Sequence, residues 1–544
     1  MSPAGGGSRG SPDSYEDVVK NRFLGFLIWQ AVQASSLFLL FKSSILSPFF
    51  SPSILIAFFA FIAFHSSLLL FSVSLFFVSS PQPLSCAYPL ELSFGLIRTV
   101  FVSGGQPFPP DFRRRARVSL NFILFVAAST FSGFLALPCL TWNCVSRSNW
   151  FVLTGDIGFR GLVVGFLYGI HYVYKGLWVL QFPIVQRPPF FSYKMGLPSA
   201  FRQALWISIA AYLFSALLAL ISLSSSRSQV TILKLIADEI KIWVGIFTLS
   251  LCWELSHHLH QVLHTKRFVF APSKGSAAVE TNPSEPLLAA LEESSPRSLM
   301  QFFAYLDVYM VSESNVDMWR RAAFFEETGE TYKRVVAICL RPLEHLTAEL
   351  NEGLEITVVD KTPQLGSQLQ SSTTESESNS RLQQAFYNLQ VCIWCARTLS
   401  TLTARSRKED RYGVAQLSGS HASVMSTLLS CLIAIETLMG KKQSLENTNY
   451  LMGPGNIKWA TASTVKRGAG AIAVKRRDGP IYLKAYAVAD VLRNSIYSIV
   501  SAFHEEMIVA VKGGCLKKEW LASTSSNEEL MLQKLHQFLD FRAS

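Results

Sequence analysis

The chain has 544 residues, room for three or four ordinary domains. Hydrophobic residues make up 49% of it and charged residues 16%, where a soluble chain averages about 25% charged, and the mean hydropathy is +0.28. A wholly soluble, a disordered and a collagen-like protein are excluded. The net charge of +11 is uneven: residues 1–259 hold 18 Lys and Arg against 9 Asp and Glu, and residues 260–544 hold 31 against 29. The basic excess sits in the loops of the apolar half, as cytoplasmic membrane loops require, and forms no nucleic-acid face.

The chain opens with a Gly/Ser/Pro-rich tail, predicted to be unstructured over residues 1–20 and lacking the basic start and apolar core of a signal peptide. Six apolar runs follow, at about 23–41, 54–78, 118–140, 159–181, 203–223 and 240–258, each long enough to cross roughly 30 Å of hydrocarbon as a helix. The fourth lies beside Asp156 and carries Arg160, His171 and Lys175, of which Lys175 is expected to snorkel or to face the bundle. Leu90–Val102 is too short to cross and reads as an interfacial helix. With a cytosolic amino terminus, 11 Lys and Arg flank the spans on the cytosolic side and five on the other, so both termini are predicted to be cytosolic. Cys139 and Cys144 share a loop on the opposite side, where a disulfide can form. Gly161, Gly165 and Gly169 line one helical face with hydrogen atoms, which suits close packing within this bundle or association with another membrane protein.

Residues 261–298, Pro/Ser/Glu-rich from 271, read as a flexible linker, and residues 361–380 as a flexible insert. Elsewhere in 299–544 the 3.6-residue period dominates. Leu382, Phe386, Leu389, Ile393 and Leu399 form one stripe, Val424, Leu428, Leu432 and Ile435 another, and Val488, Leu492, Ile496 and Phe503 a third. Leu532, Leu535 and Leu539 mark a short last helix. Ile356–Val359 and Ala471–Val474 are short enough to be strands. The expected fold is mainly α: a polytopic six-helix transmembrane bundle followed by a cytosolic α-helical domain.

Chemical motifs are weak. His257, His258, His260 and His264 cluster at the end of the sixth run, the first, third and fourth near one helical face with Glu254 a turn earlier, but the other six His are isolated, whereas a membrane di-iron site needs several separated histidine boxes. They read as histidines on a helix exit. Cys392 and Cys395 form a CxxC on a helical pattern with no second pair beside it, and read as core. The glycines at 453–455 and 468–470 lack the Lys-Ser/Thr of a phosphate loop. The basic stretch 458–477 suits either anionic headgroups or a solvated loop. No catalytic, metal or cofactor site is expected, and no direct nucleic-acid partner.

Residues 406–416 read SRKEDRYGVAQ, and this run resembles the E-D-[RK]-[YF]-G-V-x-Q signature of the Ndc-type transmembrane nucleoporin family. Leu535–Arg542 (LHQFLDFR) is similar to that family's terminal QFLEFK, and Phe303–Met310 (FAYLDVYM) to its opening aFLDLxxi. The signature residues here are Glu409, Asp410, Arg411, Tyr412, Gly413, Val414 and Gln416. Glu409 and Asp410 are expected to cap or begin a helix, Gly413 to take a left-handed turn, and Tyr412 and Val414 to anchor the turn in the core. The run either preserves a helix–helix corner or contacts a partner.

The resemblance implies an anchor in the nuclear envelope at the nuclear pore complex, not an enzyme. Its implied partners are membrane lipids, soluble inner-ring scaffold nucleoporins, in some lineages aladin, and other pore-membrane proteins. It implies support for pore assembly and for transport of protein and mRNA. The rival reading is a polytopic transporter or channel with a cytosolic regulatory domain.

Overall fold

The computed structural model describes residues 15–45, 54–87, 90–95, 110–141, 150–183, 186–222, 232–272, 282–293, 298–359, 382, 384–446, 480–522 and 528–543. The chain divides into two compact units, Met1–Arg267 and Phe268–Ser544. Regular structure among the described residues is helical, apart from one isolated bridge between Ser80 and Val179.

Unit 1 is built on α1 (Tyr15–Ile45), α2 (Ile54–Val78), α3 (Pro110–Thr141), α4 (Trp150–Tyr174), α5 (Pro189–Ser222) and α6 (Ile232–His264). Pro110 and Pro189 each open a helix, where the missing N–H leaves no bond unmade. Helix α4 packs on α3, α3 on α2, α5 on α6 and α1 on α6. The outer faces are apolar: Ile28, Trp29, Phe58, Phe59, Leu124, Phe166, Trp206 and Leu213 are exposed. Gln30, Ser67, Ser72, Ser129 and Ser132 are inside. Gln30 joins three helices, donating to Ser256 Oγ (3.2 Å) and accepting from Ser72 Oγ (2.7 Å), and Ser132 donates to the Ser67 carbonyl (2.8 Å). In a medium without water such groups must find partners within the bundle.

Six stretches among the described residues are long and apolar enough to cross a membrane: Asp17–Ser44, Ala57–Val78, Phe112–Thr141, Gly155–Tyr174, Pro189–Leu218 and Ser420–Gly440. The first five lie in unit 1. The run expected at 240–258 is inside α6, where Glu254, His257 and His258 lower the hydropathy. Helix α6 is nevertheless enclosed, with Ile242, Ile246, Leu249, Cys252 and Trp253 buried.

Several predicted boundaries shift. The tail expected to be unstructured through residue 20 is helical from Tyr15, and Val18 is buried. The fourth span ends at Tyr174 instead of 181: Gly176, at φ +65°, lets the Leu177 N–H reach the Tyr172 carbonyl at 3.2 Å. Helix α5 begins fourteen residues before the expected 203, at Pro189. Of the interfacial helix, residues 90–95 are helical. Residues 96–102, the insert 361–380, the basic stretch 458–477, Ala471–Val474 and Cys144 lie outside the described residues.

Unit 2 contains α7 (Glu285–Glu293), α8 (Leu299–Glu313), α9 (Met318–Ala322), α10 (Glu330–Val359), α11 (Leu389–Glu409), α12 (Val414–Leu417), α13 (Ser420–Glu446), α14 (Pro480–Ala502), α15 (His504–Lys512), α16 (Leu516–Trp520) and α17 (Glu528–Ala543). Ser298 caps α8 by accepting the Gln301 N–H at 3.2 Å. Helix α7 falls within the expected flexible linker; its Leu287, Leu288 and Leu291 are buried, so the linker helps build the core. Ile356–Val359 completes α10 and is not a strand. Helix α13 packs on α10, α14 and α17.

Candidate functional site

The signature run forms the corner between α11 and α13. The Asp410 N–H closes α11 on the Ser406 carbonyl (3.0 Å). The Asp410 carboxylate then accepts from the N–H groups of Tyr412 (3.2 Å) and Ala415 (2.8 Å), which satisfies the open end of α12. Gly413 reverses the chain at φ +67°, ψ 21°, a conformation that disfavours any residue with a Cβ. Val414 and Ala415 are buried, and Val414 packs against Gly329 so closely that a Cβ there would lie 2.8 Å from Val414 Cγ1.

Glu409 does not begin a helix. Its carboxylate is held in a fork by Arg321 (2.7 and 2.9 Å) and also by Arg405 (3.1 Å). Arg321 is fully buried and donates to the Ser314 carbonyl (2.7 Å), while Arg405 donates to the Glu313 carbonyl and to Asn315 Oδ1, both at 3.2 Å. The corner is thereby tied to the end of α8. Burial alone would push the Glu409 carboxyl up, but the two guanidinium groups outweigh it and hold it below the usual carboxylate range.

The other half of the run faces outward. Tyr412 is 56% exposed, which corrects its expected place in the core, and Leu417 is 85% exposed. Arg411 and Gln416 are exposed beside them. Val316, Met318 and Trp319, exposed on the segment that Arg321 and Arg405 tie to the corner, add apolar surface. Glu409, Asp410, Val414 and Ala415 build the turn, and Arg411, Tyr412, Gln416 and Leu417 are displayed by it.

The other two family-like segments are structural. Asp307 of FAYLDVYM is fully buried, forked by Arg320 (2.7 and 3.2 Å), and accepts the Phe270 N–H (3.0 Å), while Arg320 donates to the Phe270 carbonyl (2.8 Å). Residues 268–272 are thus clipped onto α8. In the terminal segment Leu535 and Leu539 are buried. Beside it Lys534 reaches Glu436 (2.8 Å), which also holds Arg493 (3.0 Å).

In unit 1, Gly161, Gly165 and Gly169 meet α3. A Cβ at Gly161 would overlap the Gly133 carbonyl, one at Gly165 the Ser129 carbonyl, and one at Gly169 the Ser129 hydroxyl. Ser129 Oγ donates to the Gly165 carbonyl at 3.0 Å. The stripe is spent on this crossing. The clustered histidines take separate partners: His257 meets Tyr172 Oη (3.2 Å), His258 the Tyr193 carbonyl (3.3 Å), His260 Ser79 Oγ (2.8 Å) and His264 the His260 carbonyl (3.0 Å). Among the described residues no group of three or more His, Cys, Asp or Glu is arranged to hold a metal. Cys392 and Cys395 are buried in unit 2, and burial pushes both thiols up, which keeps them protonated.

Sequence reasoning missed the polar clamps. Arg160 forks Glu239 (2.6 and 2.9 Å), which also accepts from Tyr212 Oη (3.1 Å). The Asp307–Arg320 pair and Arg321 were equally unmarked. One signal was available: a charge inside an apolar window demands an opposite charge elsewhere. Spacing alone does not say which.

The fold defines a mainly α protein in which a set of apolar, membrane-length helices is joined to a second helical unit. Residues 375–507 match the family model described as nucleoporin protein Ndc1-Nup. The match falls within the second unit, and the matched stretch contains α11, the corner, α13 and α14. The segments at 303–310 and 535–542 lie outside it. No curated protein matches the chain.

Proposed function

We propose that the chain anchors the nuclear pore complex in the nuclear envelope: unit 1 lies in the bilayer and unit 2 recruits soluble nucleoporins of the inner-ring scaffold, with aladin a further partner. The observation that carries the reading is the pairing, in one chain, of lipid-compatible helices with a family-matched corner whose Arg411, Tyr412, Gln416 and Leu417 are exposed. Exposed aromatic and Arg side chains are the groups that most often carry binding energy at interfaces. The role is structural, in pore assembly and in protein and mRNA transport, and both termini face the cytosol.

In this reading α6 is the sixth span and α13 is a core helix. Helix α13 is apolar enough to cross, but its Val424, Leu428, Leu429, Leu432 and Ile435 are buried against other helices of unit 2. Helix α4, by contrast, exposes Phe159, Leu162, Phe166 and Ile170. A membrane helix needs such an outward face.

The test is the location of the tagged full-length chain against a pore marker. Rim puncta coincident with pores are expected; a reticular signal without pore enrichment would sink the reading. Separated pieces should be cut between 267 and 268, because Phe270 belongs to the core of unit 2. Residues 268–544 should then retrieve scaffold nucleoporins without residing in the membrane.

A further inference from the structure

Unit 1 contains a cavity of about 360 Å³ between the α4–α5 connection and the last turns of α6. Its walls are fixed by their own hydrogen bonds. Gln261 donates to the Val179 carbonyl (3.0 Å) and accepts the Gln181 N–H (3.1 Å), and Gln186 accepts the Arg267 N–H (3.2 Å). Arg187 and Lys266 are both exposed in its lining, the first resting on the Met195 sulfur. Among the described residues no Asp or Glu lines the cavity. Outside it, Phe190, Phe191 and Met195 are exposed apolar side chains on the first turns of α5.

Two cations with no lining carboxylate select an anion, and a charged niche with exposed apolar side chains outside it suits one whose tail lies along the bundle. We infer that this cavity holds the phosphate of an anionic phospholipid headgroup, with the acyl chains along the outer face of α5. Basic pockets between membrane helices bind headgroups in this way, and the volume falls in the range of small-ligand sites. A soluble phosphate ester shares the chemistry, but it would gain nothing from the exposed apolar side chains. The inference rests on unit 1 lying in a bilayer and is independent of the nucleoporin reading.

The test uses the full chain in nanodiscs of phosphatidylcholine containing a minor share of phosphatidic acid, with retained lipid read by native mass spectrometry. The wild-type chain should retain phosphatidic acid in preference to phosphatidylcholine. R187Q/K266Q should lower that retention by about thirtyfold, the combined effect of two basic groups at an anionic surface. K175Q/K194Q removes the same charge nearby but outside the cavity lining, and should retain the lipid. Equal loss in both double variants, or none in R187Q/K266Q, overturns the site. Displacement of the lipid by glycerol phosphate in the buffer assigns the cavity to a soluble ester and overturns the lipid occupant. A chain that fails to enter nanodiscs overturns the membrane reading, and the lipid site with it.

Discussion

The two units use the same secondary structure and opposite patterning. In unit 1 large apolar side chains such as Leu24, Phe59, Phe77 and Trp206 face outward, and Gln30, Ser72, Arg160 and His260 are buried. In unit 2 the apolar stripes of α11, α13 and α14 are buried, and the exposed large apolar side chains gather in a few places. Helix length and hydropathy do not separate the cases, since Ser420–Gly440 meets the same criterion as the helices of unit 1. What separates them is whether the apolar surface is spent on neighbours or left for the surroundings. Each unit also carries buried ion pairs, and these lock different things. Arg160–Glu239 joins two helices of the bundle, while Asp307–Arg320 clips an extended strap to α8.

The contrast breaks most severely at that clip. Replacing Asp307 with Ala leaves a buried guanidinium without its carboxylate and the Phe270 N–H without an acceptor, at a cost of about 3–5 kcal/mol. Thermal unfolding of residues 268–544 should show it as a large drop in Tm. Restoring much of the loss with D307L/R320L would mark the pair as a specificity device; if D307A unfolds at the wild-type temperature, the strap is not part of the unit.

The counterpart in unit 1 is a missing side chain. Gly165→Leu drives a side chain into the Ser129 backbone and should cost about 3 kcal/mol, the upper end for overpacking, because backbone cannot yield as a side chain can. Gly25→Leu, with open space around the site, should change little. Melting of the detergent-solubilised chain separates them, and equal melting would show that the α3–α4 crossing does not limit the bundle.

A smaller effect is expected at Glu409, whose carboxylate joins two arginines at a half-buried site. Glu409→Gln should cost about 2 kcal/mol. Because the folded carboxyl is held below its ordinary value, its contribution is complete above that value and is lost as pH falls through the folded one. Wild-type stability should fall more steeply than that of the Gln variant in this acid range, and parallel curves would remove Glu409 from the clamp.

The helical class and the division into an apolar and a mixed half were legible because periodicity and run length are local properties. Gly413 was legible for the same reason: a Gly between two helical stripes announces a left-handed turn. Tyr412 was not. Its neighbour Val414 is buried and Tyr412 is exposed, and only the direction in which the turn leaves α11 decides between them. The linker misled for a related reason, since its Pro/Ser/Glu composition masks three leucines that become core once α7 docks. The clamps by Arg160 and Arg321 were hidden because the partner lies far along the chain, Glu239 79 positions from Arg160 and Glu409 88 from Arg321; Asp307 is only 13 from Arg320, but on a different helix.

The smallest structural effect carries the sharpest functional test. Tyr412→Ala with Leu417→Ala removes two exposed side chains that no helix of unit 2 covers, so stability should stay within about 0.5 kcal/mol of wild type. If the corner is only a turn, such a variant should retrieve pore scaffold nucleoporins as well as the wild-type chain does. If the corner displays a contact, retrieval should fall at unchanged stability, since exposed aromatic anchors carry a large share of binding energy. Gly413→Val supplies the converse: it strains the left-handed turn, should lower stability, and reduces retrieval only through misplacement of the same two side chains. Loss in the double alanine variant with an unchanged melting curve therefore assigns the outward half of the run to a partner, and full retrieval confines it to the fold.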